Sequence, residues 1–411
     1  MIEESNVLVA QSGGPTTVIN ASLAGVIARS LEMDQVKKVY GAKNGIQGVI
    51  KDELVSLDEI FKDQPERMES LKITPSMFLG SCRYKLPILE EDEQVYETIF
   101  RVFAEKKIRY FFYIGGNDSM DTVAKLSRYA QIKKYDIQIM GVPKTIDNDL
   151  VEIDHTPGFG SAAKYIATSI LEMAHDTAIY DMESVLIVEI MGRNAGWLTA
   201  SSVLARTNYS MAPHLIYLPE RAFSMEQFVA DVKEQLAKRK QVIIAVSEGI
   251  KDSDGTYISA KSSQTDQFGH VMLSGTGKYL ETVVHDQIGC KVRSVELNVL
   301  QRCAAHTSSL TDVNEAFMLG YKAVEAAKAG HTREMMILKR VSDQPYEVKY
   351  ETENIDLIAN KEKKIFDNWI NEAGNDVTED MVSYLRPLVE GEIQIPYENG
   401  VPKYLFLDEV R

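Results

Sequence analysis

The segment at residues 141–149 carries the densest group of reactive side chains in the sequence. It begins where an apolar run at 137–141 ends, and it places Lys144, Asp147 and Asp149 within six residues. An ordinary solvated turn explains three such charges after a buried strand poorly. In phosphoryl transfer a carboxylate takes the proton of the attacking hydroxyl while cations neutralise the developing charge. The segment therefore predicts phosphoryl transfer, with the aspartates as candidates for base and for metal or hydroxyl orienter and the lysine as candidate phosphate clamp.

Two glycine-rich segments, at 11–17 and 114–119, also lie between a predicted strand and a predicted helix. Adjacent glycines allow close approach of a ligand to the backbone, and the free N–H groups of a helix start attract phosphate. The first segment fits an ordinary turn as well as it fits a phosphate site. In the second, Asn117 and Asp118 place an amide and a carboxylate where Mg²⁺-phosphate complexes are held, while Ser119 also fits a simple N-cap.

Further charged residues could bind an anionic small molecule. Arg83 follows a Gly-Ser-Cys turn, and Arg193 stands at a predicted helix start after an apolar strand. Bidentate arginine is the usual phosphate clamp, although either residue alone also fits an ordinary surface charge. Glu248 ends another apolar strand and could bond sugar hydroxyls. Arg293 and Arg302 flank an apolar segment, so both also fit a structural role.

The elements that must position these residues alternate between short β-rich runs and helical patterns. The predicted strands cover residues 7–10, 39–42, 110–114, 137–141, 185–190, 214–218 and 242–247. The predicted helices cover residues 17–29, 93–106, 119–129, 160–174 and 225–239. Repeated β-α-β spacing indicates parallel sheets covered by helices, in which ligands bind at the carboxyl ends of the strands.

Composition excludes several classes of function. The net charge of −15 over 411 residues argues against general nucleic-acid binding, which needs a basic face. No apolar run reaches the length of a membrane span, and the acidic first residues predict no signal peptide. Three cysteines without a CxxC pair predict a reducing cytoplasm. The sequence has no P-loop, since Tyr279 follows Gly277-Lys278, and it has no GxGxxG.

Seven short motifs occur in an order that resembles the phosphofructokinase family, over about residues 5–330. They are Gly13-Gly14-Pro15, Gly80-Ser81-Cys82-Arg83, Gly115-Gly116-Asn117-Asp118-Ser119, Pro143-Lys144-Thr145-Ile146-Asp147-Asn148-Asp149, Met191-Gly192-Arg193, Ser247-Glu248-Gly249 and Gln301-Arg302. The Thr-Ile-Asp-Asn-Asp and Met-Gly-Arg blocks are highly specific, so their joint occurrence argues strongly for the resemblance.

The resemblance implies Mg²⁺-dependent transfer of a phosphoryl group to the 1-hydroxyl of fructose 6-phosphate, with Asp147 as proton acceptor. The implied catalytic residues are Asp147, Lys144, Asp118 and Arg193. The implied substrate-binding residues are Thr145, Ile146, Asp149, Met191, Gly192, Arg193, Glu248, Arg293 and Arg302, the two last for the 6-phosphate. The implied diphosphate-binding residues are Gly14, Arg83 and Lys144. The candidate metal ligands are Asn117 and Asp118.

Two positions indicate the phosphoryl donor. The ATP-dependent branch of the family typically has glycine where this chain has Asp118 and Lys144. A carboxylate at 118 would repel the α-phosphate of a nucleotide, whereas a lysine at 144 could reach the leaving phosphate of a shorter donor. The pair therefore resembles the pyrophosphate-dependent branch. The alternatives are an ATP-dependent enzyme, a kinase of a different sugar phosphate, or a non-catalytic sugar-phosphate-binding regulatory subunit.

The chain also departs from the family pattern. Asn117 stands where many relatives have a metal-binding aspartate, Ser184 where bacterial ATP-dependent enzymes have an intersubunit arginine, and Val299 where they have a histidine. The sugar-phosphate clamp is therefore expected to differ. The family implies a homodimer or homotetramer in which Arg293 reaches across a subunit interface.

The expected architecture is a pair of Rossmann-like, three-layer αβα domains with mainly parallel sheets and the active site in the cleft between them. Residues 1–158 with about 300–350 are expected to form the donor-binding domain, and 159–299 the sugar-phosphate-binding domain. The polar segment at 351–411 is expected to be a peripheral extension.

Overall fold

Two β-sheets form the framework of the computed structural model, which describes residues 5–259 and 275–410. Their strands, with one short separate hairpin, are β1 (Ser5–Gln11), β2 (Val36–Ala42), β3 (Leu54–Ser56), β4 (Ile108–Gly115), β5 (Gln138–Pro143), β6 (Ser184–Ile190), β7 (Leu215–Tyr217), β8 (Gln241–Ser247), β9 (Lys291–Glu296), β10 (Glu334–Asp343), β11 (Tyr346–Asn354), β12 (Tyr397–Glu398) and β13 (Val401–Pro402). Each strand predicted from the sequence coincides with one of these to within a few residues.

The first sheet has seven strands in the order β11-β10-β5-β4-β1-β2-β3, and the second has four in the order β7-β8-β6-β9. The second sheet is parallel throughout. In the first, β3 and β11 are antiparallel strands at the two edges, and the pairings between the other five strands are parallel. The α/β fold with mainly parallel sheets that the sequence predicts is confirmed.

The helices cover the sheets: α1 (Ile19–Leu31), α2 (Ile46–Ile50), α3 (Leu57–Phe61), α4 (Pro65–Ile73), α5 (Glu93–Glu105), α6 (Asn117–Lys133), α7 (Phe159–Ala178), α8 (Trp197–Ser201), α9 (Met225–Lys238), α10 (Thr276–Ile288), α11 (Leu310–Lys328) and α12 (Glu379–Leu385). Strand β4 is apolar along most of its length and almost wholly buried, as a parallel strand covered on both faces should be. No helix among the described residues is both long and apolar enough to cross a membrane.

Helices α1 and α11 pack unusually closely because each has a glycine at the contact. A Cβ atom on Gly25 would lie 2.0 Å from the carbonyl oxygen of Phe317, and one on Gly320 would lie 2.0 Å from that of Ser22. Real Cβ atoms never approach a backbone atom so closely, so both positions require glycine. The contact joins a late segment of the chain to the first helix, and therefore to the loop that follows β1.

The C-terminal segment at 351–411 was expected to be a peripheral extension, but several of its apolar side chains are buried in the cores beside the two sheets. Ile355 and Ile358 are fully buried in the core beside the first sheet, and Met381 and Leu385 are fully buried in a core beside the second. Its apolar residues are isolated in the sequence among charged ones, so they lack the periodicity of a helix or strand. They fill gaps between elements that are already formed, which local sequence does not reveal.

Candidate active site

Three loops converge at one edge of the first sheet, because β1, β4 and β5 are parallel neighbours whose carboxyl ends point the same way. The loop after β1 carries Gly13 and Gly14. The loop after β4 leads into α6, whose first turn contains Asp118. The loop after β5, residues 144–156, is called the catalytic loop below. The sequence prediction that these segments lie together is thus met by the topology.

Lys144 links the catalytic loop to the glycine segment. The residue is 2% exposed, and its Nζ donates a hydrogen bond of 2.6 Å to the carbonyl oxygen of Gly14. A Cβ on Gly13, whose φ is +82°, would lie 3.3 Å from the same Nζ, so the glycine leaves room for the ammonium. Burial lowers the pKa of Lys144 to about 8, although Asp147 and Asp149 act in the opposite direction. The side chain therefore carries its charge at neutral pH, within the site.

Asp147 and Asp149 have properties suited to proton transfer. Burial raises the pKa of the Asp147 carboxyl, although Lys144 and Arg302 oppose the shift. Burial raises the pKa of Asp149 to about 7, and the neighbouring Asp147 adds to the effect. Asp149 Oδ1 is buried without a hydrogen-bond partner, which leaves it ready to accept a bond from a ligand. A base with a pKa near the working pH is the one that general base catalysis favours.

The second sheet contributes the opposite side of the site. Its strands β6 and β8 are neighbours, so Met191, Gly192 and Arg193 lie next to Glu248. Glu248 Oε1 accepts a hydrogen bond of 3.3 Å from the N–H of Gly192, and burial raises the pKa of this carboxyl to about 7. Arg193 is exposed, close enough to Glu248 for its charge to lower that pKa.

The convergence encloses two adjoining cavities. The catalytic cavity, of about 500 Å³, is lined by Gly13, Gly14, Pro15, Gly116, Asn117, Asp118, Ser119, Lys144, Thr145, Ile146, Asp147, Asp149, Met191, Asn194, Arg302, Asn360, Lys361 and Glu362. The donor-side cavity, also of about 500 Å³, is lined by Ser12, Gly13, Gly14, Cys82, Arg83, Tyr84, Lys85, Tyr113, Asp118, Ser119 and Thr122. The two share the glycine segment and Asp118, so a ligand could extend from one into the other.

Most of the predicted site residues meet in these cavities. Ten line the catalytic cavity: Gly14, Asn117, Asp118, Lys144, Thr145, Ile146, Asp147, Asp149, Met191 and Arg302. Arg83 lines the donor-side cavity. Gly192, Arg193 and Glu248 are beside Met191 but do not line either cavity. Arg302 approaches the glycine segment, since a Cβ on Gly14 would be 3.4 Å from its Nη1.

Arg293 is the predicted residue that the single chain does not bring to the site. It lies on β9, an edge strand of the second sheet, and lines a separate cavity with Ser184 and Lys291. The same surface includes Tyr180 and Met182, which are 50% and 44% exposed. Arg293 is therefore an exposed residue of the second sheet that lines neither the catalytic cavity nor the donor-side cavity.

Asn117 is held by the C-terminal segment through both polar atoms of its side chain. Its Oδ1 accepts a hydrogen bond of 2.6 Å from the N–H of Asn360, and its Nδ2 donates one of 2.6 Å to the carbonyl oxygen of Lys361. Across residues 5–259 and 275–410, no group of three or more His, Cys, Asp or Glu side chains could hold a metal ion. Asp118 remains the exposed carboxylate of this turn.

Sequence reasoning missed the contribution of residues 360–363. Asn360, Lys361 and Glu362 line the catalytic cavity, more than 200 positions after the catalytic loop. Their sequence, Asn-Lys-Glu-Lys, is typical of a solvated surface run and carries no catalytic spacing. Only the three-dimensional path of the chain identifies them.

Taken together, the fold and the site define a phosphotransferase of two α/β lobes, with a lysine and paired carboxylates where the strands end. The chain belongs to the phosphofructokinase family: the family model described as phosphofructokinase matches residues 6–327. The resemblance read from the motifs is therefore confirmed.

Curated relatives and solved structures agree with this placement. A pyrophosphate–fructose 6-phosphate 1-phosphotransferase of Halomonas elongata is 42% identical, covering 97% of this chain and 95% of the relative. A sulfofructose kinase of Alkalicoccus urumqiensis is 30% identical, covering 89% and 94%. The crystal structure of a pyrophosphate-dependent phosphofructokinase from Nitrosospira multiformis matches with a TM-score of 0.88 and 37% identity, covering 98% of this chain and 96% of that one.

Proposed function

We propose that the chain transfers a phosphoryl group from pyrophosphate to the 1-hydroxyl of fructose 6-phosphate, giving fructose 1,6-bisphosphate and phosphate in a reversible step. The observation that carries the proposal is the buried Lys144, fixed between the glycine segment and the two aspartates. A fixed cation beside a candidate base is what phosphoryl transfer requires. Relatives that match nearly the whole chain are named for this reaction.

Each reacting group has a candidate partner. Asp147 takes the proton of the sugar hydroxyl as its oxygen attacks the nearer phosphorus of pyrophosphate. Asp149, with its unpartnered Oδ1, orients that hydroxyl. Lys144 neutralises the charge that grows on the leaving phosphate, and Arg302 adds a second cation to the same cavity. Glu248 and Gly192 contribute to the sugar side of the cleft.

The short donor is favoured by Asp118. Its carboxylate is exposed where the two cavities adjoin, so a nucleotide reaching from the catalytic cavity towards Arg83 would bring its α-phosphate near a negative charge. Repulsion of this kind builds specificity against the longer ligand. Pyrophosphate has no α-phosphate, so it avoids the repulsion and retains Lys144.

Mg²⁺ is part of the same proposal. This ion keeps several waters and binds through one or two carboxylates together with substrate phosphates. The site fits that pattern, since the exposed carboxylate of Asp118 lines the cavity while Asn117 is already bonded. When bound, the ion would neutralise negative charge on the phosphates.

Assembly and location extend the proposal. We expect a cytoplasmic homodimer or homotetramer, because Arg293 and its apolar surroundings lie on an open edge of the second sheet and the three cysteines are unpaired. In it, residues 1–158 with about 300–350 bind the donor, and 159–299 bind the sugar phosphate, with Arg293 completing a neighbour's 6-phosphate site. Nucleic acid is not an expected partner of this acidic chain.

The test is the initial rate with fructose 6-phosphate and Mg²⁺, comparing pyrophosphate with ATP. The wild type is expected to prefer pyrophosphate strongly, and the double variant Asp118→Gly with Lys144→Gly should lose much of that preference. Asp147→Asn serves as the background control and should lower kcat by about 10²–10⁴-fold. Equal or faster turnover of the wild type with ATP would overturn the donor assignment. Turnover of sulfofructose in place of fructose 6-phosphate would overturn the sugar assignment.

A further inference from the structure

Residues 360–363, called the strap below, lie beside the active site, and the first three of them line the catalytic cavity. One end is tied to the start of α6. Asn360 donates its N–H to Asn117 Oδ1 at 2.6 Å and its Nδ2 to Asp121 Oδ1 at 3.0 Å, and the carbonyl oxygen of Lys361 accepts from Asn117 Nδ2 at 2.6 Å. The strap therefore holds the helix turn that carries Asp118.

The other end is tied to the back of the catalytic loop by Lys363. Its Nζ donates to the carbonyl oxygens of Asp154 at 2.8 Å and Ile153 at 3.0 Å, and to Asn148 Oδ1 at 3.3 Å. These three acceptors use the full donor capacity of an ammonium group. The backbone N–H of Lys363 also donates to the carbonyl oxygen of Asp149 at 2.7 Å. Lys363 thus bonds two separate parts of the catalytic loop, residues 148–149 and residues 153–154.

Residues that follow strands of the second sheet also bond Lys363 and its neighbour Ile365. Trp197 Nε1 donates to the carbonyl oxygen of Lys363 at 3.0 Å, and the N–H of Ile365 donates to Glu220 Oε1 at 3.3 Å. The Lys363 ammonium also lies 5.3 Å from the centre of the Trp197 ring. The strap therefore connects three parts of the molecule: helix α6, the catalytic loop and the loops that follow strands of the second sheet.

The catalytic loop needs such support at the residue between its two aspartates. Asn148 is fully buried with φ of +53°, a left-handed conformation that costs free energy in a residue other than glycine. Its side chain is fixed on three sides, because Nδ2 donates to the Tyr384 hydroxyl at 2.9 Å and Oδ1 accepts from the N–H of Thr156 at 3.1 Å and from Lys363. The conformation persists because these bonds determine it.

We infer that the strap belongs to the active site and that Lys363 is a positioning residue, which holds the catalytic loop so that Asp147 and Asp149 face the reacting atoms. The inference deepens the proposed function and rests on it for the identity of the reaction. Lys363 itself touches no substrate in this scheme. Its ammonium group orders backbone carbonyls of the catalytic loop. Burying this charge without those hydrogen bonds would cost folding free energy.

The test is Lys363→Met, which keeps the length of the side chain and removes its three donors. Displacement of a reacting group by about 1 Å costs about 10²-fold in rate, so kcat should fall by about that factor. The KM for fructose 6-phosphate should stay within about threefold, because the cations that would bind its phosphate are not held by Lys363. Lys364→Met is the matched control, since it makes the same change at the exposed neighbouring residue, and its kcat should equal that of the wild type.

A merely structural role would reduce the fraction of active protein, so binding stoichiometry for fructose 6-phosphate is measured by calorimetry on each variant. A lower kcat at full stoichiometry supports positioning, whereas a kcat that falls only in proportion to stoichiometry overturns it. If Lys363→Met does not fold, Trp197→Phe removes the hydrogen bond to the Lys363 carbonyl while keeping an aromatic ring at this buried position. It should lower kcat by up to about tenfold, the value of one such bond, and an unchanged kcat would overturn the inference.

Amide hydrogen exchange separates this inference from the proposed function. The amides of residues 145–156 should exchange faster in Lys363→Met than in Lys364→Met, whether or not the wild type turns over pyrophosphate. Inactivity of the wild type with protected loop amides would contradict the proposed function alone. Unchanged exchange in Lys363→Met, together with unchanged kcat, would contradict the strap.

Discussion

The substitution Lys144→Met removes an ammonium group from the wall of the catalytic cavity while keeping most of the side-chain volume. A unit charge about 4 Å from another contributes about 4 kcal/mol at an effective dielectric constant of about 20. Because only part of a charge develops on the leaving phosphate, about 2–4 kcal/mol of transition-state stabilisation should be lost, which is a roughly 30- to 1,000-fold decrease in kcat. Initial rates at saturating pyrophosphate and fructose 6-phosphate measure this directly.

The pH dependence of the same variant gives a second readout. Wild-type kcat/KM should fall as the pH rises through about 8, where Lys144 loses its proton, and as the pH falls through about 7, where Asp149 gains one. In Lys144→Met the decrease on the basic side should vanish. The ammonium also lowers the pKa of Asp147, so in Lys144→Met the protonation of that carboxyl should inhibit at a higher pH than in the wild type.

Lys164→Met is the control. Lys164 Nζ also donates a hydrogen bond of 2.6 Å to a glycine carbonyl, that of Gly391, but Lys164 does not line the catalytic cavity. Its kcat and pH profile should match those of the wild type. The reasoning is refuted if Lys144→Met changes KM alone, if its basic limb persists, or if the control loses as much activity.

Three further outcomes are expected elsewhere in the chain. Gly25→Ala should lower the free energy of unfolding by about 1–3 kcal/mol in urea titrations, because its Cβ meets a backbone carbonyl of α11; unchanged stability would contradict the described helix contact. Burial disfavours charge on His155, but Glu315 and Asp154 outweigh it and raise its pKa from 6.5 to about 9. The contribution of His155 to the free energy of unfolding is therefore complete below about pH 6.5 and is lost as the pH rises through about 9. His155→Gln should reduce this dependence of the free energy of unfolding on pH. Arg293→Ala should raise the KM for fructose 6-phosphate about tenfold or more, the value of a charge-assisted hydrogen bond. Co-assembly of Arg293→Ala subunits with Asp147→Asn subunits should restore activity. A mixture as inactive as the separate variants would contradict a site shared between subunits.

Much of the catalytic lobe was predictable because its signals are local. The apolar run that became β4 has the length and composition of a buried parallel strand, and the glycine segments mark where strands end. Once β1, β4 and β5 are accepted as parallel, their loops must meet at one edge, so Lys144, Asp147 and Asp149 follow from the sequence. The family resemblance then implied individual roles for residues whose side-chain types already indicated phosphoryl transfer.

The remainder depends on contacts between distant segments. Nothing near Lys363 indicates that its ammonium bonds the back of the catalytic loop, since lysines in charged runs are usually solvated. In strand β11, Tyr346, Val348 and Tyr350 alternate with charged residues, a pattern typical of an edge strand. The local sequence does not indicate which strand β11 pairs with. The outward position of Arg293 likewise depends on strand order, which the sequence of β9 does not determine.

The order of strands in the first sheet has a consequence for synthesis of the chain. Strand β5 is made early, but the neighbour that covers its outer edge, β10, is made only after the whole second sheet. At about 5–20 residues per second, that interval lasts about 10–40 s on the ribosome. During it, an apolar strand has a row of unpaired N–H and C=O groups, which is a template for pairing with another chain. A nascent chain that stalls before residue 334 should therefore aggregate or recruit a chaperone, because the last fifth of the chain supplies the strand that covers the edge of β5.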